Sequence, residues 1–218
     1  MGQPNLILVF ADQLSRNRLG YAGDRWARTP NLDDFAAAGV DCCNAVSGSP
    51  VCAPFRASLF TGKYQSSTGM VINTIRMNPG HECFAHALNA GGYETAYIGK
   101  WHMWGTKRGN YYDTDYSYCP PGPHRLGFDD FYAGYNFLHN YYVAFYHTDS
   151  PRQIPVHGFE PDFQTDMAIK QIKRMKDGDK PFATFLSFGT PHDPWARVNT
   201  PEDFYKTFEW TDFDTDPP

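Results

Sequence analysis

Two runs rich in apolar residues stand near the ends of the chain, and each has the length of a strand. The first spans residues 5–10 and the second spans residues 181–188. Continuous apolar runs of this length are typical of parallel strands that are buried on both faces of a sheet. We predict further strands over residues 93–98, with shorter ones over residues 40–46 and 128–132.

Helical patterns alternate with these strands. The predicted helices span residues 30–38, 52–60, 82–90 and 162–176. The first follows Thr29 as N-cap, has Pro30 in its first turn and ends at Gly39. Residues 106–155 show little periodicity and are predicted mainly as loops. Strands that alternate with helices predict an α/β fold in which helices sandwich a mostly parallel central sheet.

The charge balance and the apolar runs argue against two classes of partner. The 218 residues carry a formal net charge of −5 and no long run of Lys or Arg, so no nucleic acid is expected to bind. No run approaches the roughly 18 apolar residues of a membrane helix, so no membrane partner is expected. Because no signal-like segment follows Met1, we expect a cytoplasmic protein, while a periplasmic or secreted location stays open.

A cysteine at the start of the second predicted helix has the local chemistry of an anion site. Cys52 follows the Ser/Gly/Pro-rich residues 47–50, and Pro54 suits the first helical turn. That turn presents unpaired N–H groups and a partial positive charge, and Arg56 can reach back over it. Taken alone, the pattern fits either a nucleophile or anion site, or a buried structural cysteine.

Polar residues follow three of the predicted strands. Asp12 and Gln13 follow the first strand, Lys100 and His102 lie after residue 98, and His192 follows the last strand. The carboxyl ends of parallel strands meet at one edge of a sheet, where open α/β proteins keep their chemistry. A turn-forming Asp, a solvated lysine and a structural histidine are the alternatives for each residue taken alone.

Four motifs in this order resemble the sulfatase family of the alkaline phosphatase superfamily. They are the segment 5–20 with its Asp-Gln pair, C-x-P-x-R followed by T-G, G-K-W-H and P-H-D-P. The resemblance covers residue 4 to about residue 203 and implies an alkaline phosphatase-like fold. It also implies a sulfuric ester hydrolase in which Cys52 is oxidised to formylglycine, whose hydrate attacks the sulfur of a sulfate ester.

The resemblance implies a role for each motif residue. Arg56 would stabilise the oxyanion form of the nucleophile, and Lys100 would bind the sulfate group. His102 would hold a formylglycine hydroxyl, and His192 would contact the sulfate and help protonate the leaving alcohol. The expected substrate is a small-molecule or carbohydrate sulfate ester.

The resemblance also implies a cofactor and a modifying partner. Asp12, Gln13 and the modified Cys52 would hold a divalent cation, for which Ca²⁺ is expected and Mg²⁺ or Mn²⁺ are alternatives. Many family members have Asp at the place of Gln13, so the ligand charge is one lower here. A formylglycine-generating enzyme or an anaerobic sulfatase-maturating enzyme would modify Cys52.

The family's remaining motif has no counterpart near the end of the chain. Sulfatases supply an Asp with a neighbouring Asn or His, and a further Lys, from a later strand, which nothing in residues 199–218 resembles. Asp212, Asp214 and Asp216 belong to a Pro-terminated acidic tail. We therefore interpret residues 1–218 as the N-terminal portion of a sulfatase catalytic domain, with its fold incomplete on the C-terminal side.

Two rival functions stay open, and six histidines have no role assigned by the motifs. The rivals are a phosphonate monoester or phosphodiester hydrolase of the same superfamily, and an inactive sulfatase fragment. Six histidines match no motif and are interpreted as surface or loop residues: His81, His86, His124, His139, His147 and His157. Three of them, His124, His139 and His147, could reach a substrate from the long loop region.

Overall fold

A computed structural model describes residues 2–105, 107 and 109–208 of the chain. Its centre is a parallel sheet in which the last described strand lies between the first two. In spatial order the strands are β1 (Leu6–Ala11), β6 (Phe182–Phe188), β2 (Glu94–Lys100) and β3 (Phe131–Tyr135). A separate antiparallel pair joins β4 (Phe145–Tyr146) and β5 (Ile154–Pro155).

The α-helices are distributed between the strands. They are α1 (Pro30–Ala38), α2 (Cys52–Thr61), α3 (Gln65–Thr68), α4 (Phe84–Ala90), α5 (Thr114–Ser117), α6 (Glu160–Lys176) and α7 (Glu202–Phe208). Short 3₁₀ helices span Arg16–Arg18, Gly20–Ala22, Pro123–Arg125 and Arg197–Asn199. No helix among the described residues has the length and apolar character needed to cross a membrane.

Two apolar layers hold the helices against the sheet. On one face, Phe60 of α2 stacks on Trp101 with ring centres 5.5 Å apart, and both belong to a buried cluster that includes residues of α4. On the other face, Ile98 and Leu186 pack in a cluster with Ala168 of α6. Successive strand residues therefore bury both faces of β2 and β6, and the predicted α/β sandwich is confirmed.

The strand β1 differs from its prediction. Its apolar run predicts a central strand, yet within the described residues it lies at an edge and pairs with β6 alone. Ile7 is 56% exposed and Val9 is 53% exposed, so one face of this strand lacks a covering layer there. Composition alone does not distinguish an apolar strand that is covered from one that is not.

Other differences concern element boundaries. No strand forms over residues 40–46, and the strand predicted over residues 128–132 is β3, which begins and ends three residues later. The described part of residues 106–155 also holds α5 and the β4–β5 pair. Asp212, Asp214 and Asp216 lie outside the described residues.

Gly99 lets β2 approach β6 at the edge that carries the polar residues. Its φ angle is +113°, and a Cβ atom there would lie 2.0 Å from the carbonyl oxygen of Ser187 and 2.0 Å from Nε2 of Gln164. Only glycine accepts both the backbone angle and the contact. This position fixes how the end of β2 presents Lys100.

Candidate active site

The carboxyl edge of the sheet carries a cavity of about 420 Å³. Asp12, Gln13, Cys52, Arg56 and His192 line it. One side-chain ligand atom from each of Asp12, Cys52 and His192 lies within 4.8 Å of the other two. The structure thus brings together residues that three separate stretches of sequence supply, as the strand directions predict.

Cys52 is the first residue of α2, with its side chain partly buried beside the cavity. The backbone N–H of the next residue, Ala53, donates to Oδ1 of Asn73 at 3.0 Å. Burial raises the pKa of the Cys52 thiol, and Lys100, whose Nζ lies 3.8 Å from Sγ, offsets only part of this. The unmodified thiol is therefore protonated at neutral pH and is a poor nucleophile.

Lys100 and Arg56 place two buried positive charges beside the buried carboxylate of Asp12. The Lys100 ammonium donates to Oδ2 of Asp12, and Nη2 of Arg56 lies 4.0 Å from the same oxygen. Burial alone would raise the pKa of the Asp12 carboxyl, but Lys100 and Arg56 outweigh it and hold this pKa well below its usual range. Burial also lowers the pKa of Lys100, and Asp12 offsets part of that effect. The pocket thus carries a net positive charge, although the whole chain is negative.

Arg56 is held in place mainly by neutral oxygens. Its Nη1 donates to the carbonyl oxygen of Lys100 at 2.6 Å, to Oγ of Ser187 at 2.7 Å and to Oη of Tyr97 at 3.1 Å. These contacts tie α2 to β2 and β6 beneath the cavity. The guanidinium therefore has a fixed position and needs no reorganisation to meet an anion.

His102 and Lys100 lie deeper than the other predicted site residues, and neither lines the cavity. His102 is fully buried, and its ring centre lies 4.8 Å from that of Phe137. Neither ring nitrogen has a hydrogen-bond partner among the described residues. Burial, with the charges of Lys100 and Arg56, lowers the pKa of His102 well below its usual value. A neutral ring with an unused donor and acceptor is a ready partner for a polar group placed next to it.

His192 lies in the turn that follows β6, with 17% of its side chain exposed. Its Nδ1 lies 2.8 Å from the carbonyl oxygen of Asp193 and 3.0 Å from Oδ1 of the same residue. Because both neighbours are acceptors, Nδ1 carries a proton and donates it. Nε2 is then the ring atom available to a bound group.

His139, which matches no motif and is one of the three loop histidines that could reach a substrate, lies beside the predicted site residues. Its Nε2 lies 3.1 Å from Nζ of Lys100, and its ring stacks on that of His192 with centres 3.7 Å apart. It follows β3, so its position obeys the same strand-end rule that predicts Lys100 and His192. The rule does not find His139 in the sequence, because the predicted strand stops at residue 132, whereas β3 ends at Tyr135.

The described residues supply few ligands for a divalent cation. Asp12 offers one carboxylate and Gln13 one amide oxygen, with position 52 beside them. Calcium in proteins takes six to eight oxygen ligands, commonly including several carboxylates. The Asp12 carboxylate is already bound by Lys100, with Arg56 close by. On these residues alone, the donor set does not fit a tight calcium site.

Comparison with known proteins identifies the family of this chain. The family model described as Sulfatase matches residues 4–215 of the chain. The chain belongs to the sulfatase family. An ulvan-active sulfatase of Formosa agariphila is 37% identical over 193 residues, which are 88% of this sulfatase chain and 36% of that relative. An N-acetylglucosamine-6-O-sulfatase of Bacteroides thetaiotaomicron is 28% identical over 88% of this chain and 31% of its own length.

Solved structures agree with the family assignment. The crystal structure of yidJ from Bacteroides fragilis, described as a sulfatase, superposes with a TM-score of 0.84 and 26% identity. The match covers 94% of this sulfatase chain and 47% of that protein. The alkaline phosphatase-like α/β fold is thus confirmed over the described residues. The sulfatase chain spans between about a third and a half of the length of these relatives.

Proposed function

We propose that this chain binds and cleaves sulfate esters at the cavity lined by Asp12, Cys52 and His192. The observation that carries the proposal is the pair of buried cations, Lys100 and Arg56, which lie beside the buried carboxylate of Asp12. A fixed surplus of positive charge in a partly dry pocket favours an anionic group, and it costs no reorganisation when that group reacts. Sulfate ester hydrolysis is the activity named for the curated relatives described above.

Position 52 is the proposed source of the nucleophile. The C-x-P-x-R motif places Cys52 in the first turn of α2, with Arg56 one turn later. In the proposed maturation, the carbon–sulfur bond of Cys52 breaks, sulfur leaves and an aldehyde oxygen enters, which oxidises the carbon by two electrons. A formylglycine-generating or anaerobic sulfatase-maturating enzyme is the proposed partner and supplies the oxidant. The hydrated aldehyde would supply the hydroxyl that attacks the ester sulfur.

The remaining side chains have separate tasks in the proposed reaction. Lys100 and Arg56 bind the sulfate oxygens and stabilise the negative charge that develops on them. His192, protonated at Nε2, gives that proton to the alcohol oxygen as its bond to sulfur breaks. His102 forms a hydrogen bond with a hydroxyl at position 52, which gives one of its two unpaired ring nitrogens a partner. Asp12 keeps the two cations together in a buried site.

For the cofactor and the substrate we propose a chemical class. A divalent cation, with Ca²⁺ first and Mg²⁺ or Mn²⁺ as alternatives, is proposed to use Asp12 and Gln13, together with more oxygen ligands than the described residues offer. The proposed substrate is a carbohydrate sulfate ester, because the curated relatives are named for ulvan and for N-acetylglucosamine. The cavity of about 420 Å³ leaves room for a group larger than sulfate.

Two measurements test the proposed function. Calorimetric titration of the chain with inorganic sulfate should give binding that Lys100→Ala weakens by at least about tenfold, since a charge-assisted contact is lost. The exposed Lys63 provides the matched control, and Lys63→Ala should bind sulfate as the parent does. Equal binding by all three proteins would show that the cavity does not hold the anion.

The second measurement addresses position 52. Mass spectrometry of the peptide around Cys52, after co-expression with a maturating enzyme, should show a loss of about 18 Da for conversion of cysteine to the aldehyde. The peptide around Cys83, which is buried in the core, should keep its mass. An unmodified Cys52 under conditions that modify another sulfatase would contradict the assignment of the nucleophile.

A further inference from the structure

His139 lies between two side chains of the proposed sulfate site and contacts both. Nζ of Lys100 lies 3.1 Å from its Nε2, and the His192 ring lies parallel to its own, 3.7 Å away with an angle of 6° between the planes. None of the four family motifs includes His139. Its side chain is partly buried, and its ring also meets the ring of Phe137 edge to face, with centres 4.6 Å apart.

The contact with Lys100 fixes which nitrogen of His139 carries the proton. An ammonium group donates hydrogen bonds and cannot accept one, so Nε2 of His139 must be the acceptor. The ring proton then lies on Nδ1, which is 3.4 Å from Oη of Tyr141. Lys100 directs its three N–H bonds toward Asp12, Sγ of Cys52 and His139. His139 and the Cys52 thiol are thus the uncharged members of the set that orients Lys100.

The contact with His192 is a face-to-face stack of two imidazoles. Two charged rings at this distance would repel each other, so at most one of them carries a positive charge. Burial, with the charges of Lys100 and His192, lowers the pKa of His139 to about 2, which keeps this ring neutral. A neutral aromatic face stabilises a cation stacked upon it. The stack therefore holds the His192 ring flat and accommodates its protonated form.

Hydrogen bonds between two loops hold His139 and His192 in their stacked arrangement. Oη of Tyr141 lies 2.7 Å from the carbonyl oxygen of His192 and 3.0 Å from that of Gly189. Nδ2 of Asn199 donates to the carbonyl oxygen of His139 at 2.9 Å and to that of Pro194 at 3.0 Å. The loop after β3 and the turn after β6 are thus joined on both sides of the histidine stack.

We propose that His139 is a positioning residue of the sulfate site, which aims Lys100 through a hydrogen bond and holds His192 through ring stacking. The proposal rests on the proposed function for its link to sulfate, whereas its effect on His192 can be measured without any substrate. Two functions in one side chain can be separated by substitution, because each requires a different chemical property of the ring.

Three variants separate these properties. His139→Gln keeps an acceptor for Lys100 but has no ring, and His139→Phe keeps a ring over His192 but accepts no hydrogen bond. His139→Ala removes both. His157, which is exposed and matches no motif, supplies the control variant His157→Gln. Thermal unfolding of each protein shows whether the variant is folded before the other measurements are interpreted.

The first readout is the imidazole of His192 in long-range ¹H–¹⁵N spectra of the chain without ligand. The parent should show a neutral His139 ring protonated at Nδ1, and a single tautomer of His192 with its proton on Nδ1. His139→Phe should preserve that tautomer. His139→Gln and His139→Ala should give the averaged signals of a ring that samples both tautomers.

The second readout is calorimetric titration with inorganic sulfate. His139→Gln should bind within about twofold of the parent, while His139→Phe and His139→Ala should bind about tenfold more weakly, the effect of one lost hydrogen bond to a charged group. His157→Gln should change neither readout. A residue that only filled space would not produce opposite patterns in the Gln and Phe variants.

Several outcomes would overturn the inference. A His139 ring found protonated, a His192 spectrum that no variant alters, or equal losses for the Gln and Phe variants in both readouts would each contradict it. If the parent protein binds no sulfate, the proposed role of Lys100 in sulfate binding is contradicted. The His192 spectra of folded variants then decide the role of His139 separately.

Discussion

Nη1 of Arg56 lies 2.7 Å from Oγ of Ser187, which joins α2 to β6 across 131 positions of the sequence. The same hydroxyl donates to the carbonyl oxygen of Lys100 at 3.0 Å. Ser187 is fully buried, so the loss of its oxygen cannot be compensated by bulk water. A residue outside every sulfatase motif thus fixes the position of one that lies inside a motif.

Substitution of Ser187 by alanine should destabilise the fold. We expect Ser187→Ala to lower the free energy of unfolding by about 1.5–3 kcal/mol, because a buried hydrogen bond to a charged group is removed. Urea denaturation measures this change. Ser15→Ala, which removes a hydroxyl that donates to the exposed Asn17, should change the stability by less than about 0.5 kcal/mol. Equal effects of the two variants would show that Ser187 does not anchor Arg56.

Asp12 and Lys100 should behave as a coupled pair. Asp12→Asn leaves Lys100 and Arg56 buried without their carboxylate, and Lys100→Met leaves Asp12 with Arg56 4.0 Å away. Each should cost about 3–5 kcal/mol of stability, with Asp12→Asn the larger loss. The double variant should lose less than the sum of the two losses, because it removes the charges of Asp12 and Lys100 together and leaves neither of them buried without the other.

The exposed pair Arg16 and Asp41 provides the control for this cycle. Asp41→Asn should cost less than about 1 kcal/mol, since solvent screens both charges. Strict additivity of the Asp12 and Lys100 variants in denaturant unfolding would show that their contact carries no coupling energy.

Glu160 should give the stability a specific pH dependence. Burial raises the pKa of this carboxyl to about 7, against the hydrogen bond that Tyr146 donates to it. The folded state therefore keeps a proton that the unfolded chain loses above about pH 4.5, and stability falls as the pH rises toward 7. Over that interval the free energy of unfolding of the parent should fall by about 3 kcal/mol through this group, and Glu160→Gln should not show this fall.

The measurement for Glu160 is the difference between variant and parent in urea unfolding from pH 5 to pH 8. A difference is needed because His102, which is buried, and His139, which is partly buried, have lowered pKa values and give a slope of opposite sign below pH 6.5. The exposed Glu202 serves as control, and Glu202→Gln should leave the slope above pH 5 unchanged. A parallel pair of curves for parent and Glu160→Gln would refute the prediction.

Calcium should bind the chain weakly. Asp12 and Gln13 bring a single carboxylate charge to the cation, with Lys100 and Arg56 beside it. We expect a dissociation constant weaker than about 100 μM in a calorimetric titration, the range of sites with few charged ligands. Micromolar affinity that Asp12→Asn abolishes would show that these ligands suffice.

The sequence predicts the site better where strands end than where loops meet. Asp12, Lys100 and His192 each follow an apolar run, so the direction of the parallel strands alone places them at one edge. Cys52 and Arg56 depend on a helix start that a proline and a loop-rich segment mark in the sequence. Local patterns therefore predict five residues that line the cavity, which are Asp12, Gln13, Cys52, Arg56 and His192.

The contacts of His139 could not be predicted in this way. They depend on Tyr141 and Asn199, which join two loops through hydrogen bonds between residues about 50 to 60 positions apart. No periodicity relates such positions, because loop–loop bonds follow from the assembled sheet and not from a repeating local conformation. The exposure of Ile7 and Val9 had no local signal either, since burial depends on which elements pack against a strand.

The position of β6 between β1 and β2 has a consequence for synthesis on the ribosome. Asn5, just before β1, accepts a hydrogen bond from Phe182, 177 positions later, and among the described strands β1 pairs only with β6. At typical elongation rates of 5–20 residues per second, roughly 10 to 35 seconds pass before β6 follows β1 out of the ribosome. During that time β1 is a nascent apolar strand without its partner, and a pause before β6 would lengthen its exposure to chaperones and to other chains.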